Sequence, residues 1–293
     1  MTVAAAFKFD GGVLFCADTK ITTGVKTDES KISTRIYQNG KCATVFVFSG
    51  IVSYAHMAIR RCEEAIEKLP IAEMSMESIE QAVESKLTQF YQTHIFPNPE
   101  PIPLNLLVGV WFNGETRLFS TEETTLNLVD HYECLGSGGY LMRYWIRQFL
   151  GARPNLPTEK PNVVQAPGLP SLQQAGFFAA CGLKSVMEYD EYCGGEAEFL
   201  IMKDEGGELG DHVSTQIHPG DHFPFQLQES MWRMLGKLAD IDNPGDADCV
   251  IKEFLEEVRK RSDEQLKWWY VFTSSLEASV SPSPAEVSED EGE

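Results

Sequence analysis

TVAAAFKFDGGVLFCADTKITTG, residues 2–24, decides how the chain is read. Phe7 and Phe9 alternate with Ala6 and Lys8, the period of two that a strand imposes. Asp10-Gly11-Gly12 is a hairpin turn signal. Val13 to Ala17 is a short apolar run, as expected of a buried partner strand. Asp18 closes that second strand, and a carboxylate at the end of a buried strand needs a partner. Lys31 is the nearest downstream candidate that sits before a strand-like run, KISTRIY. At the head of the first strand stands Thr2. Loss of Met1 would give that residue both a hydroxyl nucleophile and a free α-amine. The ordinary pKa of such an amine, about 7.7–8.0, leaves a useful neutral fraction near pH 7. Pairing the two on one threonine is a known route to an activated nucleophile. Many chains begin Met-Thr, so the pair means little without its surroundings. A lysine beside the amine and the Thr2 hydroxyl would depress both pKa values, and Asp18 would hold that lysine.

Beyond this hairpin, the period of the apolar residues predicts the rest of the order. Strand-like segments fill 2–9, 12–19, 31–37 and 41–49. Val52, Ala55, Ile59, Cys62, Ile66 and Leu69 then recur at three and four, as one helix face does. Met76, Ile79, Val83, Leu87 and Phe90 continue the pattern after Pro70. A proline-rich linker, 97–103, leads to strands at 104–112, 115–120, 124–129 and 131–135. A third helix is expected from about Gly139 to Leu150. A fourth carries Leu172, Ala175, Ala179, Leu183 and Val186, and strands at 196–203 and 208–216 close the order. Two sheets between two helix pairs would bury every apolar face. The expectation is an α+β fold: a four-layer αββα sandwich of mainly antiparallel sheets, with a C-terminal helical extension. The hairpins argue against a doubly wound parallel sheet.

Residues 1–220 form the expected main domain. Residues 151–170 read as a long proline-rich loop. Residues 221–273 read as a helical extension packed on the core or on a neighbour, ending in Trp268, Trp269 and Tyr270. Residues 274–293, acidic and without a basic residue, read as a disordered tail.

The chain has 293 residues and is 43% hydrophobic, enough for one large core. Its formal charge of −20 repels phosphate and argues against nucleic acid. No apolar run reaches the roughly 18 residues that span a bilayer, and no secretory signal is visible. Seven scattered cysteines without CxxC spacing point to a reducing cytoplasm and away from a metal site. No cofactor motif stands out. Gly136-Ser137-Gly138-Gly139 lacks the following lysine of a phosphate-binding loop.

Thr2, FDGGVLFCADTKITTG (9–24), SKI (30–32), FSG (48–50), LGSGG (135–139) and YDEYCGGEAEF (189–199) form an ordered set. In that order, and with the Thr2-to-Asp18 spacing, they resemble the proteasome β-type peptidases among the N-terminal nucleophile hydrolases. The Met-Thr start is similar to that of the propeptide-free bacterial members. The resemblance implies that Thr2 is the nucleophile and its own amine the base. It implies that Lys31 tunes their pKa values, that Asp18 orients Lys31, and that the Gly50 N–H is an oxyanion donor. Ser137 and Asp190 would hydrogen-bond around the terminal amine, with Cys193 in support.

The chain departs from the family pattern in two spacings, a Thr2–Lys31 interval a few residues short and a longer Lys31–Gly50 interval, and at three residues. Cys193 stands where a serine is usual, Ile51 where a second glycine is common, and Lys20 where an arginine is common. The resemblance further implies a threonine endopeptidase acting on protein or peptide substrates inside a homo-oligomeric ring, with an ATP-dependent unfoldase as a possible partner. Two other readings stay open: a small-molecule amidase or acylase on the same fold, and a catalytically silent assembly protein. Taken singly, Asp18 also fits a structural strand-end acid, Lys31 an exposed edge charge, and Asp190 a residue just past a helix.

Overall fold

The computed structural model describes residues 2–22, 26–150, 169–205, 209, 213–215, 234, 237–238 and 249–256. Its first hairpin is β1 (Ala4–Phe9) and β2 (Gly12–Asp18), paired antiparallel with Ala5 opposite Cys16. The turn between them needs glycine twice, since Gly11 and Gly12 both have positive φ. A Cβ on Gly12 would also stand 2.2 Å from the Met202 carbonyl oxygen. A short ribbon follows, β3 (Lys20–Thr22) and β4 (Lys26–Asp28). Then come β5 (Ile32–Tyr37) and β6 (Cys42–Gly50), and the helices α1 (Val52–Glu67) and α2 (Met76–Phe90). Ser75 and Ser78 close a reciprocal capping box at the start of α2, which ends in one π-helical turn over Tyr91–Ile95.

The strands β7 (Leu104–Phe112), β8 (Glu115–Glu122), β9 (Thr125–Leu128) and β10 (Tyr132–Leu135) lead to α3 (Ser137–Leu150). After α4 (Leu172–Tyr189), the chain returns through β11 (Ala197–Lys203) and β12 (Val213–Thr215). One sheet runs β10-β1-β2-β11-β12 and the other β5-β6-β7-β8-β9, with antiparallel pairing throughout both.

Alternation along the strands sorts their side chains into three apolar layers. Val3, Ala5, Phe7, Leu14, Cys16, Phe199 and Ile201 face α3 and α4. Ala4, Ala6, Phe15, Ala17, Val45, Val47, Leu107 and Leu200 lie between the sheets. Phe46, Phe48, Leu106 and Val108 face α1 and α2. The result is an αββα sandwich, as expected, with each sheet buried on both faces. β2 is therefore continuously apolar up to Asp18, while β9, at an edge, is mostly exposed.

The structure differs from expectation at the margins. α3 begins at Ser137, two residues early. Of the strand expected at 208–216, the described residues show Val213–Thr215 as strand and Leu209 bridged to Met202; the others lie outside the described residues. The β3–β4 ribbon went unpredicted, because three-residue strands carry no readable period. Residues 151–168 and most of 221–293 lie outside the described residues, and with them the expected loop, most of the extension and the tail; 249–256 is helical. Among the described residues no helix is long and apolar enough to cross a membrane. Six cysteines are buried and Cys249 is exposed. Burial pushes the thiols of Cys42 and Cys62 up to about 12 and those of Cys16, Cys134 and Cys181 higher still.

The sheets approach closely where Gly109 of β7 meets Phe15 of β2. A Cβ on Gly109 would stand 2.4 Å from the Phe15 ring tip. Gly109→Ala is expected to lower the unfolding free energy by about 1–3 kcal/mol. Combined with Phe15→Leu, it should cost less than the sum of the two single changes in urea unfolding. Strict additivity would show that this contact does not set the sheet spacing.

Candidate active site

Thr2 precedes β1 and is fixed through its backbone. Its carbonyl accepts the Gly138 N–H at 3.2 Å. Gly136, at φ +83°, lies so close to the same carbonyl that a Cβ there would be 2.0 Å from the oxygen. The next residue is tied from the other side. Asp18 donates its N–H to the Val3 carbonyl at 3.0 Å, and its Oδ1 accepts the Val3 N–H at 3.0 Å. Thr2 itself is buried.

Asp18 and Lys31 form an ion pair with Nζ 2.5 Å from Oδ1, and their side chains are only 0% and 1% exposed. Lys31 is thus an interior residue and not an edge charge. Its ammonium also donates to the Lys20 carbonyl at 2.8 Å. The other Asp18 oxygen accepts the Gly194 N–H at 3.0 Å. Burial pushes the Asp18 carboxyl up and the Lys31 ammonium down, against their mutual attraction and the N–H bonds to Asp18. Lys31 is delivered by the start of β5, where its carbonyl accepts the Phe48 N–H at 3.2 Å.

Thr2 and Lys31 line one cavity of about 460 Å³. Gly50 and Ser137 also line it, with apolar walls from Ile21, Phe48, Ile51, Val52 and Pro103. A volume of this order lies within the roughly 300–1,000 Å³ typical of ligand sites. Gly50 has φ +127°, and a Cβ there would collide with the Pro103 carbonyl oxygen at 2.1 Å. Only glycine fits that bend, which brings the end of β6 to the cavity rim.

Ser137, the first residue of α3, donates its hydroxyl to Asp190 Oδ2 at 3.2 Å. Asp190 closes α4 and also accepts the Tyr192 N–H at 3.0 Å and the Cys193 thiol at 3.3 Å. Partial burial would raise the Asp190 carboxyl. The bonds from Tyr192, Cys193 and Ser137 outweigh it and hold the group below the usual carboxylate range. Cys193 therefore supplies the hydrogen bond that a serine would, at sulfur's longer reach. Burial and the neighbouring carboxylates push its thiol up, so it stays protonated. Lys20 donates to the carbonyls of Glu191 at 2.5 Å and Cys193 at 3.2 Å, clamping the same turn.

All seven residues singled out in the sequence thus fall in one region: Thr2, Lys31, Gly50 and Ser137 on the cavity, Asp18 behind Lys31, and Asp190 and Cys193 behind Ser137. Gly136, Pro103 and Glu198 lie in segments read from the sequence but were not singled out as site residues. The positive φ of Gly136 has no sequence signature beyond the glycine itself. Pro103 belongs to a different strand lead-in. Glu198 does leave a trace, a carboxylate inside the apolar run AEFLIMK.

Asp18→Asn would leave the Lys31 ammonium buried without its carboxylate, at an expected cost of about 3–5 kcal/mol. Asp18→Asn with Lys31→Met, which removes both charges, is expected to be more stable than the single variant in urea unfolding. A double variant no more stable than the single one would refute charge desolvation as the controlling effect.

Comparisons with known proteins bear on the fold and the family. A family profile described as "Proteasome subunit" matches residues 2–160, more than half the chain. No curated protein sequence matches. Among solved structures, the Anbu (Gly-1) mutant from Hyphomicrobium sp. strain MC1 superposes with a TM-score of 0.61 at 16% identity, covering 82% of this chain and 97% of that one. Anbu from Yersinia bercovieri, described as an ancestral β-subunit, gives 0.60 at 16% identity, with 82% and 98% covered. The helical assembly of the Anbu complex from Pseudomonas aeruginosa gives 0.59 at 15%, with 83% and 98% covered. At these identities the likeness is one of fold. With the family match over residues 2–160, the chain belongs to the proteasome subunit family.

Proposed function

We propose that the chain is a threonine peptidase of the N-terminal nucleophile type, active once Met1 is removed. The observation that carries this reading is the shared cavity: Thr2 and the Asp18-paired Lys31 line one space large enough for a ligand. Thr2 Oγ bonds to the substrate carbonyl carbon while its proton passes to the freed α-amine. The oxyanion forms beside Gly50, whose backbone bends at the cavity rim. The C–N bond then breaks as the amine returns the proton to the leaving nitrogen. Water attacks the resulting ester, releases the acid and restores the hydroxyl. Lys31 keeps positive charge next to the nucleophile. The Ser137–Asp190–Cys193 group, one hydroxyl removed from the cavity, orders the ground around the amine.

The walls favour peptides over simple amides, because Ile21, Phe48, Ile51, Val52 and Pro103 offer an apolar side chain a place beside Thr2. Residues 1–220 would form the catalytic domain, with 221–273 as a packed extension and 274–293 as a solvated tail. A homo-oligomer that encloses the site would restrict access to it. A homo-oligomeric ring would provide that enclosure, and the Pseudomonas aeruginosa protein's helical assembly supports self-association of this fold. An ATP-dependent unfoldase would feed such an enclosure. A cytoplasmic setting suits the unpaired cysteines.

Intact mass spectrometry with a threonine-directed β-lactone tests the chemistry. The expected result is loss of Met1 and one adduct on Thr2, absent from Thr2→Ala and formed about 10²-fold or more slowly by Lys31→Ala. Protein that lacks Met1, is folded and takes no adduct would refute the reading. Against a peptide panel, apolar side chains on the acyl side of the cleaved bond should exceed acidic ones in kcat/KM by about tenfold or more. Faster turnover of simple amides than of any peptide would favour the amidase reading instead.

A further inference from the structure

β11 carries an anomaly. Ala197, Phe199 and Ile201 face α3 and α4, whereas Leu200 and Met202 lie between the sheets. By alternation Glu198 belongs to the second set, and it pairs across the sheet with Ala17 of that same layer. A carboxylate thus occupies a core position, only 4% exposed. Burying it costs free energy unless its oxygens are satisfied. Oε2 accepts the Lys31 backbone N–H at 3.3 Å and lies 3.1 Å from the Ser30 hydroxyl, whose one proton is shared between it and the Ile32 carbonyl at 3.1 Å. Ser30 in turn accepts the Ile32 N–H at 3.2 Å. Glu198 therefore grips the bend immediately ahead of β5, the bend that delivers Lys31 to the cavity.

We propose that Glu198 is a positioning residue for this site: it anchors the Ser30–Lys31 bend between the sheets and adds a second negative charge behind the Lys31 ammonium. The proposal rests on the threonine-peptidase reading for its functional meaning, though not for its geometry. Among the described residues, the charged or titratable groups bearing on the ammonium are Asp18 from β2, Cys193 from the turn after α4, and Glu198 from β11. β6 brings only Phe48, Ser49 and Gly50 to the shared cavity, none of them charged. Asp18 bonds the ammonium itself, whereas Glu198 bonds its backbone. The two carboxylates thus divide the work, one holding the charged tip and the other the chain that carries it.

Two measurements on the full chain test this. The first needs no activity: the Lys31 side chain is titrated by 13Cε/15Nζ NMR in wild type and in Glu198→Gln. Gln keeps the shape and an acceptor oxygen but removes the charge, so the Lys31 midpoint should fall. The second is the pH profile of Thr2 labelling by the β-lactone, whose alkaline limb should move down with that midpoint. Should Glu198→Gln fail to fold, Glu198→Asp serves: drawing the carboxylate back one methylene should lower the midpoint in the same direction by less. An unchanged Lys31 midpoint overturns the proposal, even where the labelling rate drops. Wild-type protein that lacks Met1 and is never labelled overturns the peptidase reading and leaves the NMR result to judge Glu198 alone.

Discussion

A buried lysine–aspartate pair governs this structure, with side chains only 1% and 0% exposed. The Lys31–Asp18 pair lies where β2 ends and β5 begins, so it joins the two sheets by charge as Phe15 and Gly109 join them by shape. Removing both charges from water is costly, and their attraction alone does not guarantee a net gain. The surroundings reflect this. Asp18 takes N–H bonds from Val3 and Gly194, Lys31 gives one to the Lys20 carbonyl, and Glu198 holds the bend behind. Each bond also locates a piece of the cavity: Val3 the chain leaving Thr2, Gly194 the turn holding Cys193, Lys20 the ribbon wall beyond. The ion pair is expensive as a source of stability and effective as a device for assembling four chain segments at one point.

Much of the fold was legible because its layers impose distinct periods. Asp10-Gly11-Gly12 between apolar runs specifies β1 and β2, and three-four spacing from Val52 to Leu69 specifies α1. Where packing overrides propensity, the reading slipped. α3 was expected from about Gly139 but begins at Ser137, and Gly138 inside it must be glycine because a side chain there would strike Val186, Cys193 and Val3. The glycine is needed for close approach, at the expense of helix propensity.

The site was legible to the extent that its residues announce chemistry by type. Asp18 at a strand end asks for a cation, and Lys31 is the nearest one that heads a strand-like run. That Lys31 is interior could not be read locally, since its burial is made by strands from both sheets. Glu198 was passed over for the opposite reason. In AEFLIMK the alternation is masked by apolar residues on both faces, so one carboxylate does not reveal which layer it enters. Cys193 shows how a departure in type can keep a role, since its thiol still reaches Asp190.

The distribution of cysteines gives the molecule an internal gauge. Cys42 and Cys62 belong to the layer under α1 and α2, while Cys16, Cys134, Cys181 and Cys193 belong to the layer under α3 and α4. Only Cys249 is open to solvent. Each helix pair can lift away only by uncovering its own sulfurs, so the order in which thiols become alkylated under mild denaturant reads out which outer layer loosens first.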